Sequence, residues 1–307
     1  MPVFHVRKSI FIAAPVSKVY ASLRDFRQWP AWSPWLITEP ESHLEFSADG
    51  KGYSWNGKIT GSGEMAITHD QAPHSIDYQL TFIKPWKSTN TTRFVCGEID
   101  GGTELVWTME GSLPFFMFWA KTMMSAYVGA DFQRGLMLLK DYIEAGTVHS
   151  HLDFPGPKPF PGCRYIGVRT YCPIGDIAAN IQRDMKKLTD WLATSGTQPT
   201  GQPLNICHKW DHVKCTTEYI VAFPIGSPPA APPTGYVTGE IPACQTYIVR
   251  HTGPYRYLGN AWAAGVMRSR ARIYTANNKI DSFEIYENDP SVVPEDKLVT
   301  VLHFPMK

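Results

Sequence analysis

The chain has 307 residues, which is more than one ordinary hydrophobic core and enough for two domains of about 150 residues each. Apolar residues make up 43% and charged residues 19%, as in soluble globular proteins, and the formal net charge is only +1. This balance argues against a dedicated nucleic-acid surface, and the longest apolar run, "LPFFMFWA" at 113 to 120, is too short to span a bilayer.

The chain opens with a predicted strand and a short helix. Side-chain character alternates over residues 3 to 12, and Val16, Val19 and Leu23 then recur at helical spacing after Pro15. Proline suits the first turn of a helix because its missing N–H needs no partner there. About six short strands follow over residues 41 to 110, with turns at "ADGKG", "GSG" and "DGG".

A long helix is predicted over residues 113 to 144, with Gly146 just beyond its end. A curved antiparallel sheet wrapped around this helix would leave a cavity between them. The candidate residues for binding an apolar ligand in that cavity are Trp32, Trp55, Trp107, Trp119 and Met123. An ordinary aromatic core is the alternative for the tryptophans.

Three segments of this first half resemble a known superfamily. They are "IFIAAPVSKVYASLRDFRQWPAWSPW", "SGEMAI" and "GADFQRGLMLLKDYIE", and they are similar to the START-like, polyketide cyclase and lipid transport (SRPBCC) proteins over residues 3 to 146. The resemblance implies a helix-grip fold and an apolar ligand in its cavity. It carries over no catalytic residue, because the superfamily has no universal one.

The proline-rich segment "HLDFPGPKPFPG", residues 151 to 162, is interpreted as a linker. Four prolines in so short a span cannot continue a helix or a central strand. We therefore expect one domain over residues 1 to 148 and a second over residues 160 to 307.

The second half contains an internal repeat. Cys163 is matched by Cys244, 81 residues later, and "AFPI" at 222 to 225 is matched by "HFPM" at 303 to 306 with the same offset. Each copy is predicted as strand, helix, strand, strand, with helices near residues 177 to 193 and 258 to 274. The fold class predicted for the chain is α+β: a helix-grip domain followed by a duplicated βαββ domain.

"RHTGPYRYLGNAW", "SFEIYENDP" and "VTVLHFPM" resemble the GyrI-like, AraC-type effector-binding domains. The resemblance implies that a small, often cationic or aromatic molecule binds between the repeats and that Glu284 faces it. Tyr286, Tyr255, Trp210 and Tyr219 are the further candidates for this site. Some members regulate transcription through an attached DNA-binding domain, for which we find no region in this chain, and a few hydrolyse strained electrophiles.

Strand alternation separates Glu284 and Tyr286 from Phe283 and Ile285. We expect the apolar pair to pack against the helices, so that Glu284 faces the opposite, concave side. The alternative is an exposed glutamate on an edge strand. A carboxylate that is partly buried beside aromatic rings favours a cation, and without a counter-charge its pKa would rise and it could act as a general base.

No metal and no cofactor are expected. Cys207, His208, His212 and Cys215 have metal-binding side chains, but a hairpin would direct alternate residues to opposite faces. The sequence contains no GxSxG, P-loop, GxGxxG or HExxH motif. Six scattered cysteines without CxxC pairs or an export signal predict a cytoplasmic protein.

The leading functional prediction is a small-molecule binding protein, serving as a sensor or a scavenger. It would hold an apolar ligand in the first domain and a cationic or aromatic ligand beside Glu284 in the second. One alternative is a hydrolase of electrophilic toxins that uses Glu284 as a general base. Another is a regulatory module that binds a protein partner. Direct contact with nucleic acid or a membrane is not expected.

Overall fold

The computed structural model describes residues 3–85, 87–113, 115–227, 229 and 232–307, and the side chains of all of these except 115–117. The chain divides into two compact units between His149 and Ser150. Within the described residues, the first unit forms a seven-stranded sheet and the second an eight-stranded sheet, and the paired strands are antiparallel. None of the described helices is long and apolar enough to cross a membrane.

The first unit begins with a strand, continues with a short helix and six strands, and ends with a long helix. The strands are β1 (Val3–Ile12), β2 (His43–Phe46), β3 (Gly52–Asn56), β4 (Ser62–Gln71), β5 (Ser75–Lys84), β6 (Ser88–Ile99) and β7 (Gly102–Ser112). The helices are α1 (Val16–Arg24) and α2 (Lys121–Ala145). The sheet order is β1-β7-β6-β5-β4-β3-β2, so each strand from β2 to β7 pairs with its sequence neighbour.

Helix α2 starts later than predicted. A 3-10 helix, Phe115–Ala120, precedes it, and position 114 lies outside the described residues. Aromatic side chains lose rotamer freedom in an α-helix, which disfavours an earlier start in this run. The predicted end is confirmed, because Gly146 adopts a left-handed conformation with φ 78° and donates its N–H to the Tyr142 carbonyl at 3.0 Å.

Aromatic rings fill the core of the first unit. Trp107 lies between Phe94 and Phe132, with ring centroids 4.6 Å and 3.8 Å away, and both pairs are stacked. Its indole N–H donates to Thr92 Oγ1 at 2.7 Å. Gly135 lets α2 approach this stack, since an added Cβ would lie 3.0 Å from the Trp107 ring. Trp107 is therefore a packed core residue that joins the sheet to α2.

The second unit has two similar halves. Its strands are β8 (His151–Phe160), β9 (Cys163–Pro173), β10 (Leu204–Asp211), β11 (Thr216–Pro224), β12 (Val237–Ile241), β13 (Cys244–Thr252), β14 (Ser282–Tyr286) and β15 (Val299–Pro305). Its helices are α3 (Ile177–Ser195) and α4 (Leu258–Arg270). The 81-residue offset predicted from the sequence recurs at the starts of β9 and β13, at the starts of α3 and α4, and at the ends of β11 and β15.

The sheet order shows that the copies are related by an approximate two-fold axis. The order is β12-β9-β11-β10-β14-β15-β13-β8, which reads the same from both ends when the copies are exchanged. The axis passes between β10 and β14. The fold class, a helix-grip sheet with a long C-terminal helix followed by a duplicated βαββ domain, is confirmed.

The interpretation of residues 151 to 162 as a linker is wrong, because most of them form β8 at the edge of the second sheet. Pro157 and Pro159 lie at alternate positions of β8, so their missing N–H groups fall on one side of the strand, and Pro155 lies where the pairing with β13 is interrupted by a register shift. Carbonyls on the other side remain available, and Lys158 accepts a hydrogen bond from Thr246 Oγ1 at 3.2 Å. Each copy is thereby extended by a first strand that pairs with the other copy.

Replacing Trp107 by Ala should lower the free energy of unfolding by about 3–5 kcal/mol, because it removes a fully buried ring from a stacked core. Trp119→Ala is the matched control, since the Trp119 residue is 65% exposed, and its effect should stay within about 0.5 kcal/mol. Urea unfolding followed by amide circular dichroism measures both variants. Equal losses would contradict the packing described for Trp107.

Candidate functional site

Glu284 lies in the middle of the second sheet. It is on β14, directly opposite Asn205 on β10, so the pair sits where the two copies meet. Glu284 is only 3% exposed and Asn205 only 4%. A central strand leaves its residues between neighbours on both sides, and the edge-strand alternative for Glu284 is therefore wrong.

The predicted face of Glu284 is also wrong. Its Oε2 accepts a hydrogen bond from the indole of Trp262 on α4, so the carboxylate lies on the helix side of the sheet. Phe283 points the other way and packs with residues of four other strands. They are Tyr165, Leu204, Ile206, Ile220, Ala222 and Ile241. Period-two alternation assigned the two pairs to opposite faces correctly, but it could not tell which face carries the helices.

Three side chains donate hydrogen bonds to the Glu284 carboxylate. Oε1 accepts from Asn205 Nδ2 at 3.1 Å and from the Tyr286 hydroxyl at 2.7 Å, and Oε2 accepts from Trp262 Nε1 at 2.9 Å. A carboxylate has about four acceptor positions in total. One acceptor position therefore remains on Oε2, beside the Trp262 ring.

The charge of this carboxylate is uncompensated. Among the described residues, no Lys, Arg or His forms an ion pair with Glu284. Burial raises its pKa above the ordinary value, and the hydrogen bonds from Tyr286, Asn205 and Trp262 only partly oppose that shift. Burial also raises the pKa of Tyr286 far above the ordinary value, so its hydroxyl stays protonated and donates. A buried acid without a counter-charge is suited to a cation from outside the protein.

Asn205 can stabilise Glu284 in both protonation states. In the observed orientation its amide nitrogen donates to the carboxylate, and its Oδ1 is buried without a partner among the described residues. A rotated amide would instead present Oδ1 as an acceptor for a protonated Glu284. The pair can therefore hold the proton or release it without losing its hydrogen bond.

Tyr255 extends the aromatic surroundings of the acid. Its ring contacts the Tyr286 ring edge-on, with centroids 5.4 Å apart, and the residue is half-buried at the start of the 3-10 helix Tyr255–Tyr257. Burial, reinforced by the negative charge of Glu284, raises the pKa of Tyr255 to about 12. Tyr255 is thus a neutral ring at the more open side of the Glu284 cluster.

The other two predicted residues of this domain do not join the Glu284 cluster. Tyr219 is buried on β11 and donates its hydroxyl to Asp184 Oδ2 on α3 at 3.1 Å. Trp210 is 40% exposed at the end of β10, with its ring 5.9 Å from that of His212. Tyr219 therefore serves the first copy's own hydrogen-bond cluster.

Sequence reasoning missed Asn205 and Trp262. The repeat contained the signal for Asn205, because β10 is the counterpart of the strand that carries Glu284. Trp262 stands in the quoted segment "RHTGPYRYLGNAW", but helical spacing alone does not show that its indole N–H is directed at an acid.

The cysteine and histidine residues of the β10–β11 hairpin do not converge. His208 Nδ1 contacts Asp281, and the Cys215 thiol donates to the His212 carbonyl at 3.5 Å. Within the described part of the chain, no group of three or more His, Cys, Asp or Glu side chains is arranged to hold a metal ion.

The candidates of the first unit fall into two groups. Trp32, Trp55 and Trp107 are buried, and a cavity lined by them would require packed rings to separate. Trp119 and Met123 are exposed, at 65% and 37%, with Trp119 in the 3-10 helix Phe115–Ala120 and Met123 in the first turn of α2. Of the five candidates in this unit, these two are the exposed ones.

The chain is similar to several solved structures at low sequence identity. The EcmrR–DNA complex has a TM-score of 0.44 and 15% identity over 62% of this chain and 68% of that one. SAV2435 bound to tetraphenylphosphonium has a TM-score of 0.41 and 12% identity over 50% and 94% of the two chains. CV1439 from Chromobacterium violaceum has a TM-score of 0.36 and 16% identity over 47% and 99%. None of the curated proteins matches the sequence significantly.

Two family matches cover most of the chain. Residues 3–144 match the family "Polyketide cyclase / dehydrase and lipid transport", and residues 158–307 match the "GyrI-like small molecule binding domain". They occur in the order that the sequence segments indicated. The chain therefore consists of a polyketide cyclase and lipid transport family domain followed by a GyrI-like small-molecule binding domain.

Proposed function

We propose that this protein binds an organic cation against Glu284 in its second domain, as a sensor or scavenger of such compounds. The observation that carries the proposal is a carboxylate that is 3% exposed, accepts three side-chain hydrogen bonds and lacks a cationic partner among the described residues. An external cation would supply the missing charge. The family of this domain, a small-molecule binding one, supports the same reading.

The rings around Glu284 favour an aromatic or lipophilic cation. Trp262, Tyr286 and Tyr255 place three aromatic side chains in or beside the carboxylate cluster. Aromatic faces attract cations through their quadrupole, and they bury apolar surface of the ligand at the same time. Strongly hydrated inorganic cations would lose more hydration than this site returns.

For the first domain we propose contact with an apolar ligand at Trp119 and Met123. These side chains are exposed and apolar, and they lie on either side of the junction between the 3-10 helix Phe115–Ala120 and α2. The family of this domain includes lipid transport proteins, which supports the proposal. Trp32 and Trp107 would then stabilise the domain without contacting the ligand.

Hydrolysis by Glu284 is the second candidate. The raised pKa of Glu284 suits a general base, and one acceptor position on Oε2 could hold a water molecule. However, Oε1 is already occupied by two donors, which limits the ways in which water and an electrophile can approach together. We therefore rank binding before catalysis.

Replacing Glu284 by Gln should weaken binding of tetraphenylphosphonium by about tenfold or more, because the variant removes the charge and preserves the shape of the side chain. Tetraphenylphosphonium is a suitable probe since it is aromatic, cationic and free of hydrogen-bonding groups. Isothermal titration calorimetry measures the affinity.

The matched control for this measurement is Glu240→Gln. It makes the same change in net charge at a side chain that is 62% exposed on β12. Its affinity should equal that of the unmodified protein at moderate ionic strength. The proposal is refuted if Glu284→Gln binds the cation as well as Glu240→Gln does.

Cation affinity should increase with pH across the range in which Glu284 ionises. Burial raises the Glu284 pKa, so below that pKa the free protein holds a proton that the bound cation must displace. Titrations in buffers of different ionisation enthalpy should show proton release on binding at the acidic end of the range. Glu284→Gln should release none, and proton uptake by the unmodified protein would contradict this prediction.

A further inference from the structure

Each copy of the repeat carries a row of side chains on the helix face of the sheet. In the first copy, Tyr219 lies opposite Cys207 on one side and opposite Thr170 on the other. In the second copy, Thr300 lies opposite Tyr286 and opposite His251. The repeat offset relates Thr170 to His251 and Tyr219 to Thr300, so the two rows can be compared position by position.

In the first copy, an aspartate on helix α3 accepts hydrogen bonds from the hydroxyl groups of the row. Asp184 of α3 is 1% exposed, and its Oδ2 accepts hydrogen bonds from Thr170 Oγ1 at 2.7 Å and from the Tyr219 hydroxyl at 3.1 Å. Both hydroxyls of the row therefore have a partner within the protein.

The second row lacks this acid. The offset places Gly265 of α4 at the position of Asp184, and any side chain there would collide with the Phe304 ring. Thr300 Oγ1 and His251 Nδ1 are consequently left without a hydrogen-bond partner among the described residues, although both residues are 0% exposed. Two orphaned polar atoms on residues that pair across neighbouring strands are unusual in a folded protein.

The hydrogen bonds of His251 determine what these atoms offer. Burial lowers the His251 pKa to about 4, and nearby His151 adds to the shift, so the ring is neutral at physiological pH. Asn260 Nδ2 donates to Ser150 Oγ at 3.2 Å, and that hydroxyl lies 3.2 Å from His251 Nε2. If the Ser150 hydroxyl donates to Nε2, the ring proton resides on Nδ1. The row then presents an N–H donor beside the Thr300 hydroxyl.

We propose that Thr300 and His251 form a second subsite that binds an uncharged acceptor oxygen of the ligand, such as a carbonyl or ether oxygen. The inference rests on the proposed cation site. Tyr286 connects the two subsites, because its hydroxyl donates to Glu284 and its partner residue on the neighbouring strand is Thr300. The ligand class is therefore an aromatic cation with an acyl or ether oxygen a short chain away from the charged nitrogen.

The test compares two probes of equal length. Benzoylcholine carries an ester between its ring and its quaternary nitrogen, and (4-phenylbutyl)trimethylammonium has the same chain length without oxygen. Thr300→Val keeps the side-chain volume and removes the hydroxyl. It should weaken benzoylcholine binding about fivefold, the effect of one neutral hydrogen bond, and leave the affinity for the oxygen-free probe unchanged, as measured by isothermal titration calorimetry.

Two further variants separate a binding role from a structural one. Thr300→Ser retains a hydroxyl and should restore benzoylcholine affinity. Thr217→Val alters another buried threonine of this domain, whose Oγ1 donates to the Lys209 carbonyl at 3.0 Å. It should lower the melting temperature and leave both affinities unchanged.

Each remaining outcome has a definite meaning. If Glu284→Gln lowers the affinity for both probes but Thr300→Val lowers the affinity for neither, the cation site is supported and the oxygen subsite is overturned. The subsite is also overturned if Thr300→Val lowers the melting temperature without changing benzoylcholine affinity, because the hydroxyl then serves internal hydration only. If neither probe binds, or Glu284→Gln has no effect, the proposed function fails and the subsite with it.

Discussion

The antiparallel pairing of β10 with β14 is the contact on which the second domain's site depends. It joins the two copies of the repeat and places Asn205 opposite Glu284 at the approximate two-fold axis. The copies are alike in backbone there but differ in side chain, with an amide in one and an acid in the other. This difference puts a single negative charge at the centre of a symmetric scaffold, where neighbouring strands exclude water from it.

Two buried carboxylates, Glu39 and Glu284, differ in their hydrogen-bond donors and therefore in the direction of their pKa shifts. Glu39, in the first domain, is as buried as Glu284, but it accepts hydrogen bonds from the backbone N–H groups of Lys58, Ile59 and Thr60. Burial raises the pKa of Glu39, yet these hydrogen bonds outweigh it and the pKa is lowered. Glu39 is thus a structural carboxylate whose hydrogen bonds hold the loop at residues 58–60 in place. Glu284 receives fewer donors, all from side chains, and its pKa is raised.

The sequence predicted the repeat and the sheets, because hydrophobic periodicity and a constant 81-residue offset reflect the backbone architecture. It placed Glu284 on the face away from the helices, whereas the structure buries this side chain on the helix side. It misplaced features that depend on three-dimensional neighbours. Alternation could not tell that Trp262 lies above Glu284, and proline content did not show that β8 is an edge strand. Trp107 is buried and Trp119 is exposed, although both are tryptophans, because the exposure of a side chain depends on which other elements pack against it.

Because the two copies have diverged, their buried acids lie at different places, and only one of these acids lacks a counter-charge among the described residues. In the first copy the buried acid is on the helix, where Asp184 binds two hydroxyls and the exposed Arg183 at 2.7 Å, so its charge and its acceptors are satisfied. In the second copy the acid is on the strand, and the helix position is Gly265. The proposed cation site therefore lies on the α4 side of the axis. A two-fold scaffold whose copies differ in this way would suit a ligand that has no symmetry of its own.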